Sequence, residues 1–209
     1  MKLKHAVCLL MAVCTAVAFA EDAAKPYVRV SAGVSMVNDA DICVYGINAA
    51  EAEFDPGFAL DIAAGMEMTA TDEKGSLPVR AEIELGIQQS DLDKFEDKLG
   101  LGISTGDGEI LTVATMLNGY IDIKNDSIIT PYVTAGIGGV YVDVELEGDS
   151  DDDFVLAGQL GAGVGIAVNE EVTVDAGYRF LLADDPEFSD DTEMELSAHR
   201  VQVGVRIAL

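Results

Sequence analysis

A two-residue alternation of apolar and polar side chains, sustained over eight separate segments, most limits what this chain can fold into. The final stretch, SAHRVQVGVRIAL, shows it plainly. Val201, Val203, Val205, Ile207 and Leu209 share one parity, and Arg200, Gln202, Gly204 and Arg206 share the other. Successive side chains of a strand point to opposite sides, so each segment has one apolar and one polar face. The segments span roughly 27–36, 57–69, 79–89, 110–123, 130–142, 154–168, 172–181 and 196–209. Most are longer than the five or six residues of an ordinary globular strand. They match the roughly 9–11 tilted residues that cross a bilayer core.

The connections alternate as regularly as the side chains. Long, acidic ones (37–56, 90–109, 143–153 and 182–195) follow the odd-numbered segments, and short ones (70–78, KNDS at 124–127 and NEE at 169–171) follow the even-numbered ones. Short turns at one end and long loops at the other describe an all-β fold. The expected architecture is a closed eight-stranded antiparallel up-and-down transmembrane β-barrel, with both termini at the short-turn end.

Parity alone does not say which face is inside. A soluble barrel places its apolar face inward. Three observations favour the reverse. All five arginines (Arg29, Arg80, Arg179, Arg200 and Arg206) lie on the polar face of a strand, and no lysine does. The planar fork of arginine suits desolvated pairing with carboxylates. Six carboxylates share that face, namely Asp61, Glu67, Glu82, Glu84, Asp122 and Asp175, so charge there is nearly balanced while the loops are almost purely acidic. Balance is required where charges leave water. Many glycines occupy the same parity, and long side chains fit a narrow lumen only beside small neighbours. The eleven charged residues are therefore expected to form a barrel-interior network. Phe58, Tyr141, Phe154 and Phe180 have the outward parity next to the long loops, as an extracellular aromatic girdle would.

Composition narrows the function. MKLKH followed by an apolar run ending Ala18-Phe19-Ala20 reads as a signal peptide over 1–20, cleaved after Ala20. The barrel domain is then 21–209. All 38 acidic residues follow residue 20, against 10 basic ones, so the mature charge is about −28. That argues against nucleic acid as a partner. Cys43 is the one cysteine outside the signal segment, so no internal disulfide is expected.

LNGYIDI (117–123), TPYVTAGIGG (130–139), VTVDAGYRF (172–180) and the closing GVRIAL resemble the eight-stranded outer-membrane barrels of the opacity-protein and OmpA-like type. With strand count and loop alternation, the resemblance spans the whole mature chain. It implies a monomer in the outer membrane of a Gram-negative cell, in contact with its lipid and lipopolysaccharide and inserted by the barrel-assembly machinery. It also implies exposed loops that meet a surface ligand, no cofactor and no enzymatic activity. Such chains commonly end in an aromatic residue, whereas this sequence ends in Leu209.

The inward charges read as a structural ionic core in preference to a gate or proton path. Asp149, Asp151 and Asp153 carry oxygen ligands at alternate spacing, but Phe154 stands where a calcium loop of the EF-hand type needs glycine. A solvated acidic surface is the simpler reading of them. Ser197 and His199 share the outward parity of the last strand without an assignable orienting acid, so they read as interface residues rather than a hydrolytic pair. The expected role is envelope structure or surface interaction and adhesion. A narrow porin-like channel and a secreted soluble barrel binding an apolar ligand remain as alternatives.

Overall fold

The computed structural model describes residues 24–38, 40–44, 47–72, 75–97, 108–123, 125–146, 149–183, 192–194 and 197–209. The expected signal segment 1–20 lies outside them. The elements are β1 (Lys25–Val37), β2 (Ala40–Val44), β3 (Ile47–Phe54), β4 (Gly57–Asp72), β5 (Gly75–Asp97), β6 (Gly108–Asp122), β7 (Ile129–Leu146), β8 (Asp149–Ala167), β9 (Val172–Ala183), β10 (Thr192–Met194) and β11 (Ser197–Ala208).

Eight of these, β1, β4, β5, β6, β7, β8, β9 and β11, form the barrel wall, each antiparallel to its neighbours. The β5–β6 and β1–β11 ladders make the ring continuous, which removes every edge from the wall. A line perpendicular to the strands runs from Ser35 through Arg200, Arg179, Gly161, Thr134, Tyr120, Arg80 and Glu67. It re-enters β1 at Lys25, a stagger of 10 residues. At ~3.3 Å per residue and ~4.8 Å between strands, that stagger tilts the strands by about 40°.

The start of β1 and the end of β11 meet at the short-turn end, where Leu209 N donates to Pro26 O at 2.9 Å and Ala208 N donates to Glu171 O at 2.8 Å. Two of the turns there are built by asparagines that fold back on their own backbone. Asn125 Oδ1 accepts from Ser127 N at 2.8 Å. Asn169 Oδ1 accepts from Glu171 N and Val172 N at 2.9 and 2.8 Å.

The long-loop end differs from the sequence expectation. The segments expected as loops carry strand. β5 continues to Asp97, and β7 and β8 continue to Leu146 and Asp149. Three further strands, β2, β3 and β10, arise inside 37–56 and 182–195. β3 pairs with the upper part of β5, β2 with β3, and β10 with β2, so the wall extends past the eight-stranded ring. Acidic residues occupy both parities in the upper part of β5 (Asp91, Asp93, Glu96 and Asp97) and at the start of β8. In β2, β3 and β7 they keep to one parity, so the alternation continues into segments expected as loops.

The side-chain faces divide sharply. Ile137, Leu156 and Leu160 on the outer surface are 70%, 67% and 63% exposed, while Glu82 and Arg29 are 1% and 3% exposed. This is the inverse of a soluble barrel with an apolar lumen. The outward face, from Val30 and Leu60 to Val203 and Ile207, carries large apolar side chains that only hydrocarbon would solvate favourably.

Candidate functional site: the barrel interior and its rim

The strands bring the eleven predicted charges into one lumen in three connected groups. In the middle group, Arg29 Nη2 donates to Glu82 Oε1 and to Glu84 Oε2, both at 2.6 Å. Arg179 Nη1 donates to the same Glu84 oxygen at 2.6 Å, so one carboxylate bridges guanidiniums from β1 and β9. Tyr27 and Tyr120 hydroxyls donate to Glu82 at 3.0 and 2.8 Å, and Arg179 Nη2 donates to the Tyr120 oxygen at 2.6 Å. Asn118 donates to Glu84 at 3.3 Å and accepts from Gln159. Nearly every lone pair and proton is thus engaged, the condition under which buried charge is tolerated.

A second group lies nearer the long-loop end. Arg200 Nη1 donates to Asp61 Oδ1 at 2.7 Å, and Arg200 Nη2 donates to Gln88 Oε1 at 3.3 Å. Ser31 Oγ donates to Asp61 Oδ2 at 3.1 Å. The Gln202 amide lies between this group and the middle one; oriented with its nitrogen towards Asp61 Oδ2 and its oxygen towards Arg179 Nε, it bridges them at 3.1 and 3.2 Å.

The third group rings the short-turn end. Arg80 grips Asp122 with two nitrogens at 2.9 and 2.8 Å, and its guanidinium lies 4.2 and 4.9 Å from the Tyr120 and Tyr132 ring centres. Arg206 Nη1 donates to Glu67 at 2.8 Å, and its Nε lies 3.3 Å from Asp175. Glu67 is the outermost member, with 45% of its side chain exposed.

Glycine makes room for these groups at close approaches. A Cβ on Gly86 would stand 2.6 Å from Asp61 Oδ1, and Cβ atoms on Gly163 and Gly177 would stand 2.5 and 2.6 Å from the Tyr132 hydroxyl.

Sequence reasoning missed half of the lumen. Towards the long-loop end the inward face is apolar. Val37, Ile110, Ala114, Met116, Val140, Val142, Val155, Ala157, Leu181, Ala183 and Ala198 form one buried cluster. In every strand that contributes to both, these residues lie on the long-loop side of the polar network residues. The signal was present in FVLA (154–157), FLLA (180–183) and VYV (140–142), where apolar residues fill both parities. Such runs mark strands with apolar surroundings on each face.

The girdle residues lie at the same end. Phe58 and Phe154 are 50% and 64% exposed. Tyr141 is the cross-strand partner of Phe154, and Phe180 is that of His199, their rings 5.0 Å apart. His199 Nδ1 pairs with the Tyr178 hydroxyl, and Ser197 Oγ accepts from Asn38 Nδ2 at 2.8 Å. Ser197 and His199 therefore each hold a partner other than the other, an arrangement suited to an interface rather than to nucleophile activation. Among the described residues no group of three histidines, cysteines or carboxylates could hold a metal. Asp153 Oδ1 accepts from Phe154 N at 2.7 Å, and the side chains of Asp149 and Asp151 lie outside the described residues.

A family model for the outer membrane protein beta-barrel domain matches residues 6–207. The chain belongs to that family. Outer membrane protein PagN of Salmonella typhimurium is 26% identical over 214 aligned residues, covering 88% of this chain and 84% of that protein. The crystal structure of Neisserial surface protein A superposes with a TM-score of 0.61 at 18% identity, covering 90% of this chain and all of that one. The protein is thus an outer-membrane β-barrel, and its apolar outer band faces lipid.

Proposed function

We propose that the protein is a non-enzymatic surface-interaction protein whose barrel anchors an acidic sheet outside the cell. The observation that carries this is the continuation of the wall through β3, β2 and β10 and the upper parts of β5, β7 and β8. That extension is rich in Asp and Glu, whereas the lumen below it is filled by paired charges and packed apolar groups. A filled lumen leaves the extension as the working part. Its charge favours a cationic partner, by long-range attraction that salt screens. The surface-protein name of one structural relative agrees with this role. In this reading, lipopolysaccharide and outer-membrane lipid surround the girdle of Phe58, Tyr141, Phe154 and Phe180, and the barrel-assembly machinery inserts the chain as a monomer.

Protease treatment of intact cells tests the topology. Cleavage is expected only within 37–56, 90–109, 143–153 and 182–195, and cleavage at the 168–171 turn on unbroken cells overturns it. Replacing Ala40–Phe54 by a short turn should leave a heat-modifiable barrel that no longer binds polylysine-coated beads at low salt. Undiminished binding would remove the extension from the mechanism.

A further inference from the structure

The lumen contains two kinds of filling, and they resist ions differently. Among the carboxylates, side-chain exposure falls from 45% at Glu67 and 15% at Asp122 to 2% at Glu84, 1% at Asp61 and 0% at Glu82. Water from the short-turn end therefore reaches the outermost layer and fades inward. Next to Arg200, a void of about 10 Å³ is bounded by Gly86, Gln88, Thr112, Leu181 and Ala198. That is room for about one water molecule, not for a file of them. Beyond it lies the apolar cluster, where Val140 and Val142 are 0% exposed and Met116 is 1% exposed. In each strand that carries both, the network charge lies on the short-turn side of the cluster residue, as Arg179 does below Leu181 and Arg200 below Ala198.

We propose that the apolar cluster is the ion seal of the barrel, and that the ion pairs beneath it bind the wall together without closing the pore. An ion among the charged groups meets carboxylates, guanidiniums and hydroxyls that can exchange partners with it. An ion among Val140, Val142, Met116 and Leu181 must shed its hydration for little more than the few hydroxyls of Ser35, Ser90 and Thr112 that lie between them, and a mainly apolar constriction excludes water as well. The barrier is therefore highest in the part of the lumen without charge.

The test is ion leak from liposomes that hold the purified full-length protein, each variant first shown to be folded by its heat-modifiable gel shift. Wild-type vesicles should leak no faster than empty ones. The double variant Val140→Thr with Val142→Thr adds hydroxyls at nearly constant volume, and Leu181→Ser also opens space. Both should raise the leak by about tenfold or more, as hydrated constrictions conduct. Glu84→Gln should leave it at the wild-type rate, and Arg200→Gln serves the same purpose should the first variant not fold. Leak from the wild type or from a folded charge variant overturns the proposal, as does a tight Leu181→Ser barrel.

Discussion

The two tiers of the lumen fill the same narrow cylinder by opposite means. Near the short-turn end, five arginines and six carboxylates interlock through hydroxyls and amides, with glycines opposite the bulkiest groups. Near the long-loop end, Val, Leu, Ile and Ala pack with a few small hydroxyl residues, Ser35, Ser90 and Thr112, between them. The charged tier depends on specific partners, because a buried charge that loses its counterpart has no substitute. The apolar tier depends mainly on volume. The comparison teaches that a membrane barrel interior need not be uniformly polar. What it must do is fill space and pair most of the polar groups it contains; here the hydroxyls of Ser35, Ser90 and Thr134 and the carboxylate oxygens of Asp175 are buried without a hydrogen bond.

Substitutions can break this comparison. Arg179→Ala should have the largest effect, because it strips a guanidinium from Glu84 and from Tyr120 at once while leaving both buried. A loss of about 3–5 kcal/mol is expected for such a broken pair, read as a lower temperature for the folded-to-unfolded gel shift. An unchanged shift temperature would remove the charged tier from the stability of the barrel. Leu181→Ala deletes apolar volume where no charge is orphaned, and about 2–3 kcal/mol is expected in urea titrations of the refolded barrel in detergent. A cost exceeding that of Arg179→Ala would invert the ranking of the tiers. Glu67→Gln sharpens the picture at the rim. The Glu67 side chain is half in water, so its pair with Arg206 is screened and about 1 kcal/mol or less is expected by the same titration. A loss as large as that of Arg179→Ala would mean that the rim is dry.

Much of the barrel was legible because strand parity is a local property. Arg29, Glu82, Arg179 and Arg206 declared their face by alternating with Val28, Ile83, Phe180 and Ile207. The placement of lysine outside the alternating segments and arginine within them pointed to desolvated pairing, although the structure extends β1 and β5 to include Lys25 and Lys94. Two things were not legible. Val140, Val142, Val155 and Leu181 were overlooked as lumen residues because apolar neighbours on both parities erase the alternation. The strands β2, β3 and β10 were overlooked although β2 and β3 form a local pair in which Asp41, Glu51 and Glu53 alternate with Ala40, Ile42, Ala50, Ala52 and Phe54. These strands are short, and the ladders of β3 with β5 and of β10 with β2 join segments far apart in the chain.

Sequence by itself determined that eight long alternating segments with unequal connections would close into a cylinder, with paired charge on one face and hydrocarbon-compatible groups on the other. Periodicity two is imposed by the backbone of each strand, so it survives without any tertiary contact. Only the tertiary structure decided which charges pair. Glu84 meets Arg29 and Arg179 because the 10-residue stagger sets strands from different parts of the chain side by side. It also decided that the apolar residues of the lumen gather at one end, since height in a tilted barrel depends on register between strands and not on position within any one of them.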